Sequence, residues 1–406
     1  MKTAMIIGVF YESDLWIKKT KELGYNVVAV HPMELSNKAY FNSVQPYIDK
    51  FYKCSYVDYG QLLNIAKSNK VEMVVTHPCS NDALVASGYV NSELGLKGVS
   101  YSAALKAGSK FEFHQLLEEY DLPRALYTTK NLNDEAIQFP CIVKPNFGAG
   151  SIGVKKIASR DELDAFFISK DIKNGYRLTK PEYDYYLVQD FMQGERILGC
   201  NGVVRDGEVI VFGKTMRNLK NEVEQQPYFY GQEFITTYME LSSKTKRSLE
   251  KLISGLQLDN CPFKAEILID EQDEIIGFIE INLRPAAMNT AIAFDYIYGF
   301  DNASEQIKLA TDLKTSFEHT STEYQYMMVK NLVFKEGTIE SISWPPLPSN
   351  IISFNTELKS NETVDKFLDV NAASKNGHIL IIGKEESEIY GTASSFVSNI
   401  KIKYVT

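Results

Sequence analysis

The chain has 406 residues, 44% of them hydrophobic and 23% charged, with a formal net charge of −9. At roughly 100 to 200 residues per domain, this length predicts two to four packed units. The acidity excludes a general phosphate-backbone binder, which needs a basic patch, and no run of about 18 apolar residues could span a bilayer, so neither nucleic acid nor membrane is an expected partner.

The N-terminal segment MKTAMIIGVFYESDLW meets Glu12 and Asp14 before any small-residue cleavage site, and reads as a first strand rather than a signal peptide. Cys54, Cys79, Cys141, Cys200 and Cys261 are scattered, without a C-x-x-C pair or a histidine at ligand spacing, which fits a reduced, cytoplasmic setting. An apolar run at 4–9, a helical segment to Leu23, Gly24 and a second run at 27–30 make a βαβ opening. A helix-like QLLNIAKSNK, a strand at 71–76 and a helix capped by Ser80 or Asn81 continue it, predicting an open parallel α/β sheet. GVFYES stands where a dinucleotide fold would carry G-x-G-x-x-G, so that turn is not a cofactor site. The loop His77-Pro78-Cys79-Ser80-Asn81 follows a parallel strand, where such sheets tend to bind ligands.

The first unit ends near residue 106, before the segment GSKFEFHQLLEEYDLP, which Pro123 stops. Beyond it the pattern is α+β: strands at 141–144 and 153–157 around the loop PNFGAGSI, a helix at 161–169, a strand at 185–191 and a hairpin over 197–213 turning at Arg205-Asp206-Gly207. A helix at 242–256 precedes FKAEILID and EIIGFIEINLRP, two strands around an acidic turn, and a last helix is expected near 385–397. The expected divisions are 1–106, a small lobe with the glycine-rich loop at 107–187, a large lobe with the acidic residues at 188–314, and 315–406, the last completing the large lobe or forming an accessory subdomain.

The chemistry concentrates in Glu266-x13-Glu280-x-Asn282-x-Arg284-Pro285. Side chains two apart on a strand share a face, so Glu280, Asn282 and Arg284 form a polar row between Ile279, Ile281 and Leu283. If the two strands pair around a turn centred on Asp273, Glu266 falls opposite Glu280. Facing carboxylates weaken a ladder unless a cation lies between them. Oxygen ligands select Mg²⁺ or Mn²⁺, and Mg²⁺ bound through one or two carboxylates shares its other positions with phosphates and water. Lys144 ends an apolar strand just before Gly148-Ala149-Gly150-Ser151-Ile152-Gly153, whose glycines let backbone N–H groups approach phosphate oxygens. A Walker loop it is not, since G-K-S/T is absent. The five histidines are dispersed and form no catalytic set.

Lys110 in SKFEFHQLLEEYDLP, Lys144 in FPCIVKPNFGAGSIGV, Glu195 in YLVQDFMQGERI, and KAEILID with FIEINLRP stand in an order and spacing that resemble the ATP-grasp superfamily, in its carboxylate–amine ligase branch. The resemblance runs from about Lys110 to Pro285 and implies an ATP-grasp fold behind an N-terminal open parallel α/β domain. It implies that Lys110 reaches the α-phosphate region of ATP and Lys144 the α- and β-phosphates, while the loop bearing Gly148, Gly150, Ser151 and Gly153 closes over the triphosphate. Gln189, Asp190, Phe191 and Met192 would pass the adenine and Glu195 the ribose; Glu266, Glu280 and Asn282 would hold one or two Mg²⁺ (or Mn²⁺) ions. Arg284 would contact the γ-phosphate and the forming acyl phosphate, making it and Lys144 the catalytic cations, with Lys214 and Arg217 as further phosphate or substrate contacts.

The implied reaction joins a small-molecule carboxylate, an amino acid in the simplest case, to an amine through an acyl phosphate, releasing ADP and phosphate. A thiol acceptor (carrier protein or coenzyme A) is the close alternative, and a homodimer is compatible. A non-catalytic nucleotide-binding protein would be expected to have lost its facing acids, because no packing need preserves them. Two departures stand out: Ala286-Ala287-Met288-Asn289 replaces the small glycines common after Arg-Pro, and Gln189-Asp190 stands where a glutamate is frequent.

Overall fold

The computed structural model describes the chain except residues 1, 11, 36–38, 149, 151, 169–181, 183, 195, 219–232, 237–240, 321, 365–374 and 406. The first unit is a parallel sheet of β1 (Thr3–Ile7), β2 (Asn26–His31), β3 (Lys50–Lys53) and β4 (Val71–Val74), in the order β3-β2-β1-β4. Alternate residues of β1 enter different cores: Ala4 and Ile6 pack with Trp16 and Ile17 of α1 (Ser13–Glu22), whereas Met5 and Ile7 pack with Leu62 and Ile65 of α3 (Tyr59–Ser68). Burial on both faces is why β1 and β2 read as continuous apolar runs rather than alternating ones.

Helix starts follow the side-chain chemistry of the sequence. Short α2 (Ala39–Val44) follows β2; α3 is capped by Asp58, α4 (Asn81–Leu94) by Ser80, α5 (Tyr101–Gly108) by Ser100 and α6 (Lys110–Glu119) by Ser109, each side-chain oxygen accepting a first-turn backbone N–H. Gly95, left-handed at φ 63°, ends α4. Helix α5 crosses the expected boundary at 106 and packs against both α4 and α6.

The middle sheet is antiparallel, in the order β5-β8-β6-β7, from β5 (Thr128–Thr129), β6 (Cys141–Pro145), β7 (Lys155–Ile157) and β8 (Tyr186–Asp190), with α7 (Arg160–Ile168) beside it. The large sheet holds β9 (Arg196–Arg205), β10 (Glu208–Asn218), β11 (Glu233–Thr236), β12 (Cys261–Ile269), β13 (Ile275–Asn282) and β14 (Tyr326–Asn331). With β16 (Ile351–Asn355) and β18 (His378–Gly383) its order is β13-β12-β9-β10-β11-β14-β18-β16, so the C-terminal part of the chain extends the same sheet. β15 (Gly337–Ser343), β17 (Thr363–Val364) and β19 (Lys401–Tyr404) form a separate small sheet.

Helix α8 (Ser243–Gly255) turns Leu249, Leu252 and Ile253 into a core shared with Ala103 and Ala104 of α5, Leu116 and Leu117 of α6, and Ala265, Ile267 and Ile281 of the β12–β13 hairpin. This core fills one side of the hairpin and leaves its other side to the cleft. Helices α9 (Thr290–Tyr298) and α10 (Asn302–Lys308) follow the hairpin, and α11 (Glu386–Ser398) packs on β18.

Candidate active site

The β12–β13 register sets Glu266 opposite Glu280 and Lys264 opposite Asn282, with the turn at Asp273 in the left-handed conformation (φ 63°). Because residues two apart share a face, the four side chains make a square polar patch on the side away from the core. Within it, Glu266 Oε1 lies 3.4 Å from Lys264 Nζ and 3.5 Å from a guanidinium nitrogen of Arg217, which β10 supplies. Asn282 Nδ2 donates to Glu280 Oε1 at 2.7 Å.

The patch forms the polar end of a cleft between the middle and large sheets, with about 970 Å³ of free space, part of it open to solvent. Lys110, Lys144, Arg217, Glu266 and Glu280 line that end, and Ile142, Ile152, Val154, Ile197, Leu268 and Ile279 give the remainder apolar walls. A small-molecule site of this size with a few convergent polar groups is the ordinary form of a ligand pocket.

Two enclosed lysines dominate its electrostatics. Lys144, at the end of β6, is only 8% exposed and donates to Gln189 Oε1 on β8. Burial, reinforced by neighbouring Lys110 and opposed by Glu280, brings its ammonium down to about 7. Lys110, the first residue of α6, donates to the Gly148 carbonyl at 3.1 Å, and burial lowers its pKa against the pull of Glu280. The hydrogen-bond acceptors of both side-chain nitrogens are thus neutral oxygens, with the charge of Glu280 acting on both from β13, beside a glycine-bearing loop.

One buried residue positions both lysines. Asn146 Oδ1 accepts from Ser109 Oγ at 3.1 Å and from the Phe111 N–H at 3.0 Å, while its backbone carbonyl accepts the Lys110 N–H. The start of α6 is thereby tied to the segment two residues beyond Lys144. In the loop, Gly150 (φ 65°) and Gly153 (φ 73°) are left-handed, and a Cβ at Gly153 would come within 2.7 Å of Tyr186 Oη.

The cleft brings together many of the residues expected from the sequence: Lys110, Lys144, Gly148, Gly150, Gln189, Asp190, Met192, Arg217, Glu266 and Glu280 line it, with Asn282 joined through Glu280. Phe191 lies under the ammonium of Lys156, 3.8 Å from the ring centroid. Lys214 does not line the cleft; three positions from Arg217 on β10, it projects from the opposite face. Ser151 and Glu195 lie outside the described residues, as does most of the segment 217–235 expected to read substrate. The sequence reading passed over Lys264, Asn146 and Gln189 as a lysine partner, although Lys264 and Asn146 each stand two residues from a residue it singled out.

Arg284 lies beyond the end of β13, outside the cleft lining. Its Nη1 donates to the Pro285 carbonyl at 3.0 Å, its buried Nε has no partner among the described residues, and its charge is felt by Glu12, His77 and Cys79 at the first unit's edge. There His77 Nε2 meets the Gly8 carbonyl at 2.7 Å, and burial lowers the imidazole to about 4, so it is neutral near pH 7. After Pro285 the chain does not use glycine: Met288 (φ 61°) and Asn289 (φ 56°) adopt the left-handed conformation themselves, at a cost of order 1–2 kcal/mol per residue.

Magnesium nucleotide fits this residue set. Two facing carboxylates and a neighbouring amide suit a hard divalent ion that takes its other oxygens from phosphates. No group of three His, Cys, Asp or Glu side chains able to hold a metal occurs among the described residues, so a site here would depend on such outside ligands. No helix among them is long and apolar enough to cross a membrane.

Residues 137–292 match the family model described as an ATP-grasp domain. Urea amidolyase of Saccharomyces cerevisiae is 21% identical over 417 residues, which cover 95% of this chain but 21% of that protein; the chain thus spans about a fifth of the curated relative's length. Among solved structures, the L-amino acid ligase from Bacillus licheniformis is similar over 100% of this chain and 99% of its own, with TM-score 0.77 and 14% identity. Phosphoribosylglycinamide synthetase from Anaerococcus prevotii is similar over 100% of both chains, with TM-score 0.70 and 17% identity.

Proposed function

We propose, for a chain that belongs to the ATP-grasp superfamily, that it is an ATP-dependent ligase activating a small-molecule carboxylate as an acyl phosphate and transferring the acyl group to an amine, with release of ADP and phosphate. The observation that carries this reading is the pairing, at one end of a largely apolar cleft, of two enclosed lysines whose hydrogen-bond acceptors among the described residues are neutral oxygens with two carboxylates facing each other. The first feature calls for a polyanion and the second for a divalent cation, and Mg-ATP supplies both. The apolar walls suit a flat base.

In this reading Glu266, Glu280 and Asn282 would hold Mg²⁺ (or Mn²⁺), which when bound neutralises phosphate oxygens as a carboxylate approaches them. Lys110 and Lys144 would exchange their neutral partners for phosphate oxygens, and Arg217 would turn from Glu266 toward the same charge. The loop from Gly148 to Gly153 would exclude water from a hydrolysable acyl phosphate. Arg284, with an unsatisfied Nε and the His77–Cys79 loop nearby, would orient the acid. No protein nucleophile is required, since the burden is charge management and alignment.

An amino acid and an amine are supported by the carboxylate–amine ligase pattern of the motifs and by the architecture shared with the L-amino acid ligase. The test is ADP and phosphate release from Mg-ATP across a panel of amino acids and other small acids, each with amine or thiol acceptors, together with hydroxylamine trapping of the acyl phosphate. Acid-dependent ADP release with amide formation is expected. Turnover with thiols alone would move the assignment to the thioester-forming alternative, and Mg-independent ATP binding without turnover would leave a binding protein.

A further inference from the structure

Glu12 stands between β1 and α1, at the cap position of α1, yet its side chain makes no cap bond to that helix. Its Oε1 instead accepts the Met288 N–H at 2.6 Å, 276 residues along the chain. Met288 and Asn289 are the two non-glycine residues in the left-handed conformation between Arg284-Pro285 and α9. Asn289 is the cap residue of α9 but gives no side-chain cap, and its Nδ2 donates instead to Ser353 Oγ at 3.2 Å. Glu12 Oε1 therefore supplies what that turn lacks, an acceptor for the Met288 N–H just before α9. The carboxyl is enclosed: burial raises its pKa, opposed by the neighbouring backbone N–H groups and by the charge of Arg284, four residues before Met288.

We propose that Glu12 is a positioning residue for the ligase reaction: its carboxylate locks Met288 and Asn289 in the left-handed turn and so holds the Arg284 guanidinium toward the His77–Cys79 loop. The inference rests on the function proposed above for its catalytic consequence, though not for the clamp itself. A loop with glycines at 288 and 289 would adopt this turn unaided; Asn tolerates the left-handed region but Met resists it, so the bond from Met288 to Glu12 of the first unit favours the turn where the side chain opposes it. The clamp also explains how a segment bulkier than the glycine pattern keeps the route that Arg284 needs.

The test uses the full chain in five forms: wild type, Glu12→Gln, Glu12→Ala, Met288→Gly/Asn289→Gly, and the triple variant combining Glu12→Ala with both glycines. Hydrogen exchange of the 284–292 segment is read by mass spectrometry without substrates, and kcat and KM are measured with Mg-ATP and the best acid from the panel. Glu12→Ala is expected to speed exchange at Met288 and Asn289 about tenfold or more. It should lower kcat/KM for the acid about a hundredfold, as misplacement by an ångström does, while KM for ATP stays within about twofold. Glu12→Gln keeps one acceptor oxygen and should fall between, and it serves as the informative variant if Glu12→Ala does not fold. The glycines in the triple variant should recover at least about tenfold of the lost activity, a rescue that follows from left-handed freedom alone. Unchanged exchange in Glu12→Ala and Glu12→Gln would overturn the clamp. Faster exchange without glycine rescue would overturn the positioning role and make Glu12 a substrate contact. Absence of turnover in the wild type would count against the ligase reading only, because exchange still decides the clamp.

Discussion

Glu266 and Glu280 face each other directly across two antiparallel strands, the first neutralised by Lys264 and Arg217 and the second accepting from Asn282. Glu280→Gln and Glu266→Gln keep shape and remove one charge. Each is expected to cut Mg-ATP turnover about a hundredfold or more, roughly 3 kcal/mol, while the fold persists. The extra stabilisation that Mg²⁺ adds to bound ATP in a thermal shift assay should vanish in both; its persistence would mean the ion binds elsewhere.

The cations on Glu266 compete with a metal for that carboxylate. Lys264→Met removes a partner 3.4 Å away in a partly enclosed site, so the ligand-free protein should lose stability, by about 1–3 kcal/mol. Mg²⁺ alone should then raise the melting temperature more in Lys264→Met than in the wild type, a difference read by titrating Mg²⁺ at fixed ionic strength.

Lys144 gives a pH signature. Its folded value, about 7, lies below the 10.5 of an exposed lysine. Between these limits the unfolded chain binds the extra proton, so the lysine's contribution to stability rises with pH from about 7 to 10.5, and its burial penalty is full below about 7. Lys144→Met should therefore raise the melting temperature near pH 6.5, by less as pH approaches 10, while abolishing turnover. Phosphate favours the ammonium form, so ATP binding near pH 8 should take up protons, seen as a dependence of calorimetric heat on buffer ionisation enthalpy.

Asn146 predicts a different pattern. Asn146→Ala deletes the acceptor for Ser109 and Phe111 at the start of α6, which should cost about 1–3 kcal/mol of stability. Because it loosens Lys110 relative to Lys144, KM for ATP should rise several-fold, with a smaller change in KM for the acid. Equal changes in both would place its role in folding alone.

The hairpin was legible because two local rules suffice: period-two alternation assigns faces, and an acidic turn centred on Asp273 fixes which residue opposes Glu280. The cap at Ser80, one of the two candidates, the Asp206-Gly207 turn and the parallel opening followed from equally local chemistry. What escaped depends on distance along the chain. Glu12 meets Met288 across 276 residues, and Asn146 reaches back 37 residues to Ser109, so neither contact leaves a spacing signal. Lys214 and Arg217 were grouped as contacts of one site, but the pleat puts them on opposite faces, and Arg217 lines the cleft. The role of residues 315–406 was likewise undecidable from pattern, because the pairing of β11 with β14 joins segments about ninety residues apart.

That last pairing makes the chain's final quarter structurally obligatory. A protein shortened after about residue 314 would keep the nucleotide cleft but strip β14, β18 and β16 from their sheet and leave β11 as an open border. Unsatisfied peptide groups along such a border recruit strands from neighbouring molecules. The outcome should be insoluble aggregates rather than a smaller working enzyme, and any attempt to isolate a minimal nucleotide-binding fragment must carry these strands along.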